Sequence, residues 1–265
     1  MWLALDIGNS AAKGGLYEGP ALRRVFHVDL PPVDAPTAWE RAFRDALGGA
    51  AVERIGVSSV VPAATPPACA ALERLTGAAA EPIHVRMRLP FAMNYATPET
   101  LGVDRLAAAA AAWLRYGRGD GARPARHVVA VDAGTAVTIE VVTRAGVYEG
   151  GTIGPGPGLL VRALRDGTAQ LPAVPLEVPG RVIGRSTQEA LQSGIVRGFV
   201  EGVRGLLGRV QAALDGRPAI VATGGWAPLL AQEIDAIDEV APHLVLDGIR
   251  ELMALNPPAP GARGG

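Results

Sequence analysis

The stretch LALDIGNSAAKGGLY, residues 3–17, runs an apolar segment into a carboxylate at Asp6. It then turns through Gly8, Asn9 and Ser10 and continues past Lys13 into a second apolar segment. Short apolar runs bounded by Gly and Asn read as strands, so the unit is strand, turn, strand. A glycine-rich turn that holds nucleotide phosphates ordinarily leads into a helix; this one leads into another strand. The arrangement returns in VVAVDAGT, residues 128–135, where an apolar strand ends at Asp132 and Gly134 and Thr135 follow. VTIEVVTRAGVYEGG, residues 137–151, continues it as a further strand-like run. Two copies of one supersecondary unit about half a chain apart identify an internally duplicated protein.

The 265 residues suffice for one large domain or two of ordinary size. Apolar residues make up 49% and charged residues 19%, the balance of a soluble globular chain with a sizeable core. Aromatics are only 5%, so that core is built mostly from Ala, Leu and Val. A formal net charge of -1 offers no basic face for nucleic acid or an anionic membrane. The single cysteine, Cys69, excludes an internal disulfide and points to a reducing compartment. Met1 leads directly into a strand-like segment without a basic start or a cleavable apolar region, so no export signal is read and the cytoplasm is expected. The longest uncharged stretch, Ile55 to Leu72, contains three prolines and reads as a buried strand and a loop, not a membrane span.

Between the two copies lies RYGRGDGARPARH, residues 115–127, with the composition of a linker. Domains are therefore expected over 1–116 and 117–255. In each half further strands, RIGVSSVV and AIVATGG, alternate with helical stretches, and the spacing predicts helices over 36–48, 66–77, 104–116, 157–167, 187–214 and 227–236. Strands mixed with helices in two similar halves define a two-domain α/β protein. The tail NPPAPGARGG, residues 256–265, is too rich in Pro and Gly to fold and is expected to be disordered.

Each motif has a chemical and a plain reading. Gly8 lets backbone amides approach a bound group, and consecutive amides form a concave anion site. Asn9, Ser10 and Lys13 can add donors to phosphate oxygens, and Asp6 could hold a hydrated Mg²⁺ that bridges them. The plain reading is hairpin turn chemistry, and the second copy at Asp132, Gly134 and Thr135 tips the balance toward two phosphate-facing turns clasping one nucleotide. Ala222-Thr223-Gly224-Gly225 would suit the nucleoside end, and neither GxxxxGK[ST] nor GxGxxG occurs. Asp104 opens an alanine-rich helix after Gly102; spacing alone favours a capping role, and a general base for a substrate hydroxyl is the functional alternative. Arg105 could bind a substrate carboxylate, although a lone Arg is usually solvated surface. GGTIGPGPGLL carries Gly and Pro at a density that predicts a shaped loop lining a cleft, ahead of a helix at Leu159 to Asp166. Ser186 and Glu189 form a capping box. Gly194, Gly198 and Gly202 recur along one helix face, which predicts a backbone packed closely against them, from this chain or a second subunit.

Taken together, DIGNS, GVDRLAAAAAA, VDAGT, GGTIGPG, STQEALQSG and ATGG resemble the type III pantothenate kinases, in order from Leu3 to about Leu252. That family belongs to the acetate and sugar kinase, Hsc70 and actin superfamily. The resemblance implies two actin-like (ribonuclease H-like) domains with the active-site cleft between them, and the strand–turn–strand unit is then the phosphate-binding hairpin, used twice. It implies that Asp6, Ile7, Gly8, Asn9, Ser10, Ala11, Ala12 and Lys13 bind ATP, with Mg²⁺ at Asp6 through water. It places Tyr95, Gly102, Val103, Asp104, Arg105 and Thr187 at pantothenate, with Asp104 as proton acceptor. It makes Asp132 the ligand of potassium or ammonium and Thr135 an ATP contact, in a homodimer with its active site near the subunit boundary. Ser10 stands where the family often has Thr, and Ala109 near a position where Asn is common. The expected reaction is ATP-dependent phosphorylation of pantothenate, the first step of coenzyme A synthesis. The rivals are a non-enzymatic relative that assists transcription and a kinase of another small alcohol.

Overall fold

Strand β1 (Trp2–Ile7) buries Leu3, Ala4 and Leu5 in succession, the signature of a strand covered on both faces. The computed structural model describes residues 1–258. Two compact units emerge: Met1–Arg115 with the C-terminal segment that starts at His243, and Tyr116–Pro242.

In the first unit β1 pairs antiparallel with β2 (Ala11–Glu18) and parallel with β4 (Arg54–Ser59). With β3 (Ala21–Asp29) and β5 (Ala80–Pro82) the sheet order is β3-β2-β1-β4-β5. One core cluster joins Leu3, Leu5 and Ile7 to Trp39, Phe43 and Leu47 of α1 (Pro36–Leu47) and to Ala68, Ala71 and Leu72 of α2 (Thr65–Thr76). After the two-residue strand β6 (Ala92–Met93), α3 (Val103–Ala112) buries all of Leu106 to Ala112 and runs on as a π-helical turn through Trp113–Gly117. The helix expected over 104–116 is thus α-helical only to Ala112.

The final helix, α8 (Leu244–Leu255), belongs with this first unit, whereas the sequence-based division assigned residues up to 255 to the second half. The reason is packing. Leu246, Ile249, Leu252 and Met253 are buried, and Ile249 and Met253 lie over Gly56 of β4. At Gly248 a Cβ would stand 1.9 Å from the carbonyl oxygen of Ala107, so α3 and α8 cross backbone to backbone. Tyr17 Oη donates to Asp247 Oδ1 at 2.8 Å and Arg115 pairs with Asp247 Oδ2 at 2.9 Å. Burial pushes the Tyr17 hydroxyl far above its ordinary range, which keeps it a donor. Asn256, expected to begin a disordered tail, instead exchanges two 2.9 Å hydrogen bonds with the backbone of Arg88. Residues 259–265 of that tail lie outside the described residues.

The second unit repeats the plan. Strand β7 (Val128–Ala133) pairs antiparallel with β8 (Ala136–Val142) and parallel with β10 (Ala219–Thr223). Its strands lie in the order β11-β10-β7-β8-β9, with β9 at Val147–Pro155 and β11 at Glu239–Val240. The core sets Val129, Val131 and Ala133 against Phe199, Val200, Val203 and Leu207 of α6 (Gly198–Ala212) and Leu230 of α7 (Ala227–Glu233). α4 (Pro157–Gly167) follows β9, and α5 (Thr187–Gln192) reaches α6 through a π-helical turn, Ser193–Arg197. The helix expected over 187–214 is therefore three consecutive helical pieces that end at Ala212.

Two expectations change here. The Gly- and Pro-rich segment expected as a loop is the end of strand β9. At Gly151 a Cβ would fall 1.6 Å from the carbonyl oxygen of Ile139, and Gly150 takes φ +93 where the ladder shifts between Val141 and Val142. Glycine is what lets the strands approach at this bulge. Gly194, Gly198 and Gly202 have nothing of this chain within 4 Å of where their Cβ atoms would stand, so no intrachain backbone packs on that face among the described residues.

Gly151→Ala is expected to lower stability by about 3 kcal/mol through overpacking against β8, whereas Gly167→Ala, in open space, should change it by less than about 1 kcal/mol. Chemical-denaturation midpoints of the two variants check this. Equal midpoints would mean that the bulge has slack.

Candidate active site

The first hairpin presents Asp6 between neighbours on the two adjacent strands. The ladder sets it opposite Lys13 on one side and Ser58 on the other. Ser58 is fully buried, and its Oγ donates to Asp6 Oδ1 at 2.8 Å. The Gly8 N–H donates to the Ala11 carbonyl at 3.1 Å and closes the turn, which leaves Asn9 and Ser10 exposed at the tip. Ile7 and Ala12 pair across the hairpin and their side chains are fully buried; only their backbone can serve a ligand. At Gly8 φ is ordinary and a Cβ would meet nothing closer than Ala11 O at 3.5 Å. The fold itself does not require glycine there, and its smallness keeps space open beside the turn.

The second hairpin reproduces the register with different partners. Asp132 stands opposite Thr138 and Thr223. The turn is one residue tighter, because Ala133 pairs with Val137 where Ile7 pairs with Ala12. The Gly134 N–H donates to Ala136 O at 2.9 Å, and Thr135 is exposed. Two glycine junctions press against this turn. A Cβ on Gly156 would lie 2.3 Å from Gly134 O. Gly224, at φ +89, faces Ala133 O and Asp132 Oδ1, which would stand 2.5 and 2.6 Å from its Cβ. The Gly156 and Trp226 N–H groups donate to the carbonyls of Thr135 and Ala133, both at 3.0 Å.

Helix α3 opens at Gly102, the N-cap, with no side-chain capping bond. Asp104 is therefore not the cap, although its Oδ1 accepts the Arg105 N–H at 2.8 Å and so satisfies one first-turn donor. The carboxylate folds back over Gly102, where a Cβ would stand 2.6 Å from Oδ1. Arg105 is buried at 8% exposure and is no solvated surface residue. Val103 and Tyr95 are half-buried, Tyr95 just beyond β6. Thr187 is exposed at the first position of α5, after Ser186, whose Oγ accepts the Glu189 N–H at 3.2 Å. The reciprocal bond of this capping box runs from the Arg185 N–H to Glu189 Oε2 at 2.7 Å, one residue earlier than the usual pattern.

The structure thus gathers Asp6, Lys13 and the turn in one hairpin, and Gly102, Val103, Asp104 and Arg105 at one helix start, all in the first unit with Tyr95. Asp132, Thr135 and Thr187 belong to the second unit. Sequence reasoning gave no role to Ser58 or Thr138, the neighbours that the ladders set beside Asp6 and Asp132. The signal for Ser58 was present: GVSS and AIVAT, the strands beside β1 and β7, both end on a hydroxyl residue. Among the described residues no group of three or more His, Cys, Asp or Glu could hold a metal ion by itself.

Duplicated mixed sheets with a carboxylate and a small-residue turn at the end of each central strand define the two-domain actin-like class. The chain shares its fold with a Baf family transcriptional activator from Campylobacter jejuni, at TM-score 0.60 and 20% identity over 96% of this chain and 98% of that one. It shares it also with a ROK family glucokinase from Streptomyces griseus, solved with glucose and AMPPNP, at TM-score 0.52 and 18% identity over 95% and 98%. Sequence comparison goes further. The family model of type III pantothenate kinase matches residues 2–209. The chain is 37% identical over 260 residues to the type III pantothenate kinase of Chlorobaculum parvum, covering 96% of this chain and 94% of that protein. It is 36% identical over 261 residues to that of Anaeromyxobacter dehalogenans strain 2CP-C, covering 97% and 100%. The chain belongs to the type III pantothenate kinase family.

Proposed function

We propose that this protein transfers the γ-phosphoryl group of ATP to the primary hydroxyl of pantothenate, giving 4′-phosphopantothenate, the first step of coenzyme A synthesis, as a cytoplasmic homodimer. The observation that carries the reading is the family match over residues 2–209, with relatives of that name at 36–37% identity along nearly the whole chain.

In this reading the turn from Asp6 to Lys13, with Thr135 of the second hairpin, binds ATP. Tyr95, Gly102, Val103, Arg105 and Thr187 bind pantothenate. Asp104 accepts the proton of the substrate hydroxyl as its oxygen attacks the γ-phosphorus; the bond to the bridging oxygen breaks and ADP leaves. Lys13 and the turn amides offset charge on the phosphate oxygens. Among the described residues Asp6 belongs to no group of three or more candidate metal ligands, which fits a hydrated Mg²⁺ held mainly by nucleotide oxygens. Magnesium, when bound, offsets phosphate charge there. Asp132 Oδ1 and the Ala133 carbonyl oxygen both face Gly224, a pair of hard oxygen donors suited to potassium or ammonium. Thr138 stands where the first copy has Lys13, so the second copy has no lysine at that register position.

Asp104→Asn should abolish pantothenate-dependent ADP release, a loss of about 10²–10⁴-fold, and leave ATP binding and the fold nearly intact. Near-normal turnover would reduce Asp104 to a structural acceptor. Wild-type protein that releases no ADP on addition of pantothenate, in any monovalent salt, would favour the transcriptional-accessory reading.

The rate should fall steeply in sodium-only buffer and recover with potassium, and Asp132→Asn should blunt that response. Unit charges 4 Å apart repel by about 4 kcal/mol at an effective dielectric near 20, so a second carboxylate facing phosphates needs a cation between. Equal rates in the two salts would sink the cation assignment.

The open face of Gly194, Gly198 and Gly202 supports dimerisation, because exposed mid-helix glycines cost about 1 kcal/mol each relative to alanine unless a backbone packs on them. Gly198→Leu should shift the protein toward monomer in light scattering. A stable dimer in that variant would remove this face from the interface.

A further inference from the structure

Strand β4 ends in two adjacent serines whose hydroxyls do different work. Ser59 Oγ accepts from Thr65 Oγ1 at 2.6 Å and from the Val61 N–H at 3.2 Å, and so shapes the turn into α2. Ser58 is 0% exposed, and its hydroxyl is committed to Asp6 Oδ1. The parallel register sets Ser58 directly opposite Asp6, so the two side chains rise from the same face of the sheet. Asp6 itself is half-buried at the end of β1. The second copy keeps the device in outline: Thr223, 3% exposed, stands opposite Asp132 in the corresponding parallel ladder.

We propose that Ser58 is a positioning residue for the phosphoryl transfer: its hydroxyl holds Asp6 Oδ1 and so restricts the orientation in which that carboxylate would meet a magnesium-bound nucleotide. The inference rests on the assignment of Asp6 to magnesium–ATP made above. A carboxylate has about four lone-pair positions. A buried donor that holds one of them narrows the orientations open to the side chain before the ligand arrives. Such outer partners of metal-binding groups orient them, and their loss typically costs 10–100-fold in metal affinity or activity.

The test is calorimetric titration of ATP into the full-length protein, once with Mg²⁺ and once with excess EDTA, the ratio of the two dissociation constants being the readout. Ser58→Ala should cut that ratio about tenfold or more, with metal-free affinity and the KM for pantothenate within about twofold of the unaltered protein. Ser58→Thr, which keeps the hydroxyl, should restore it. Asp6→Asn is the reference and should collapse the ratio. If Asp6→Asn leaves the ratio intact, the assignment of Asp6 itself fails. If Asp6→Asn collapses it and Ser58→Ala does not, the positioning role is overturned and Ser58 is only a satisfied core residue. Thermal unfolding accompanies each titration; should Ser58→Ala fail to fold, Ser58→Cys, a weak donor that fills the site, replaces it under the same criterion.

Discussion

Asp6 and Asp132 are each held at the end of a buried central strand by two ladders at once, antiparallel on one side and parallel on the other. That double pairing is the constraint on which the rest depends. A strand hydrogen-bonded along both edges cannot slip by one residue without turning Leu3, Leu5 and Ile7, or Val129, Val131 and Ala133, out of their cores. The apolar core therefore fixes the register, and the register fixes which side chains flank each carboxylate. A polar site is placed here by hydrophobic packing several residues away.

The two copies share their frame and differ in their flanks. Lys13 and Ser58 attend Asp6, whereas Thr138 and Thr223 attend Asp132, and the second turn is a residue shorter. Gly156 and Gly224 press on that shorter turn from two directions, and the positive φ of Gly224 together with its closeness to Asp132 and Ala133 calls for glycine there. Duplication followed by different neighbours gives one frame two electrostatic characters, a carboxylate beside a cationic side chain and a carboxylate among oxygens.

Close backbone approach recurs as the second theme. Gly248 against Ala107 and Gly151 against Ile139 bring main chains nearer than any side chain allows. In a chain with few aromatics, density comes from small residues packed tightly instead of from large rings. The run of buried alanines in α3 works the same way, and it is what seats Asp104 and Arg105 at a rigid helix start.

The sequence alone determined the class of the fold, because its evidence was local and repeated: apolar strands with a carboxylate at the same offset before a glycine turn, found twice. It determined the two hairpins and the start of α3 for the same reason, and the family resemblance gave these residues candidate roles. It misjudged places where distant segments decide the outcome. Glycine and proline density suggested a loop after Tyr148, yet the neighbouring strand makes that segment extended. Residues 244–255 gave no local sign of returning to the first unit; only the fit of Gly248 on Ala107 and of Asp247 between Tyr17 and Arg115 brings them there. Ser58 was legible as one of the hydroxyl residues that close the strands beside β1 and β7, but its contact with Asp6 was not, because it joins positions far apart in the chain. Periodicity and turn chemistry act over a few residues and can be read directly from the sequence, whereas which strand lies beside which, and so which hydroxyl meets which carboxylate, is settled only when the whole core packs.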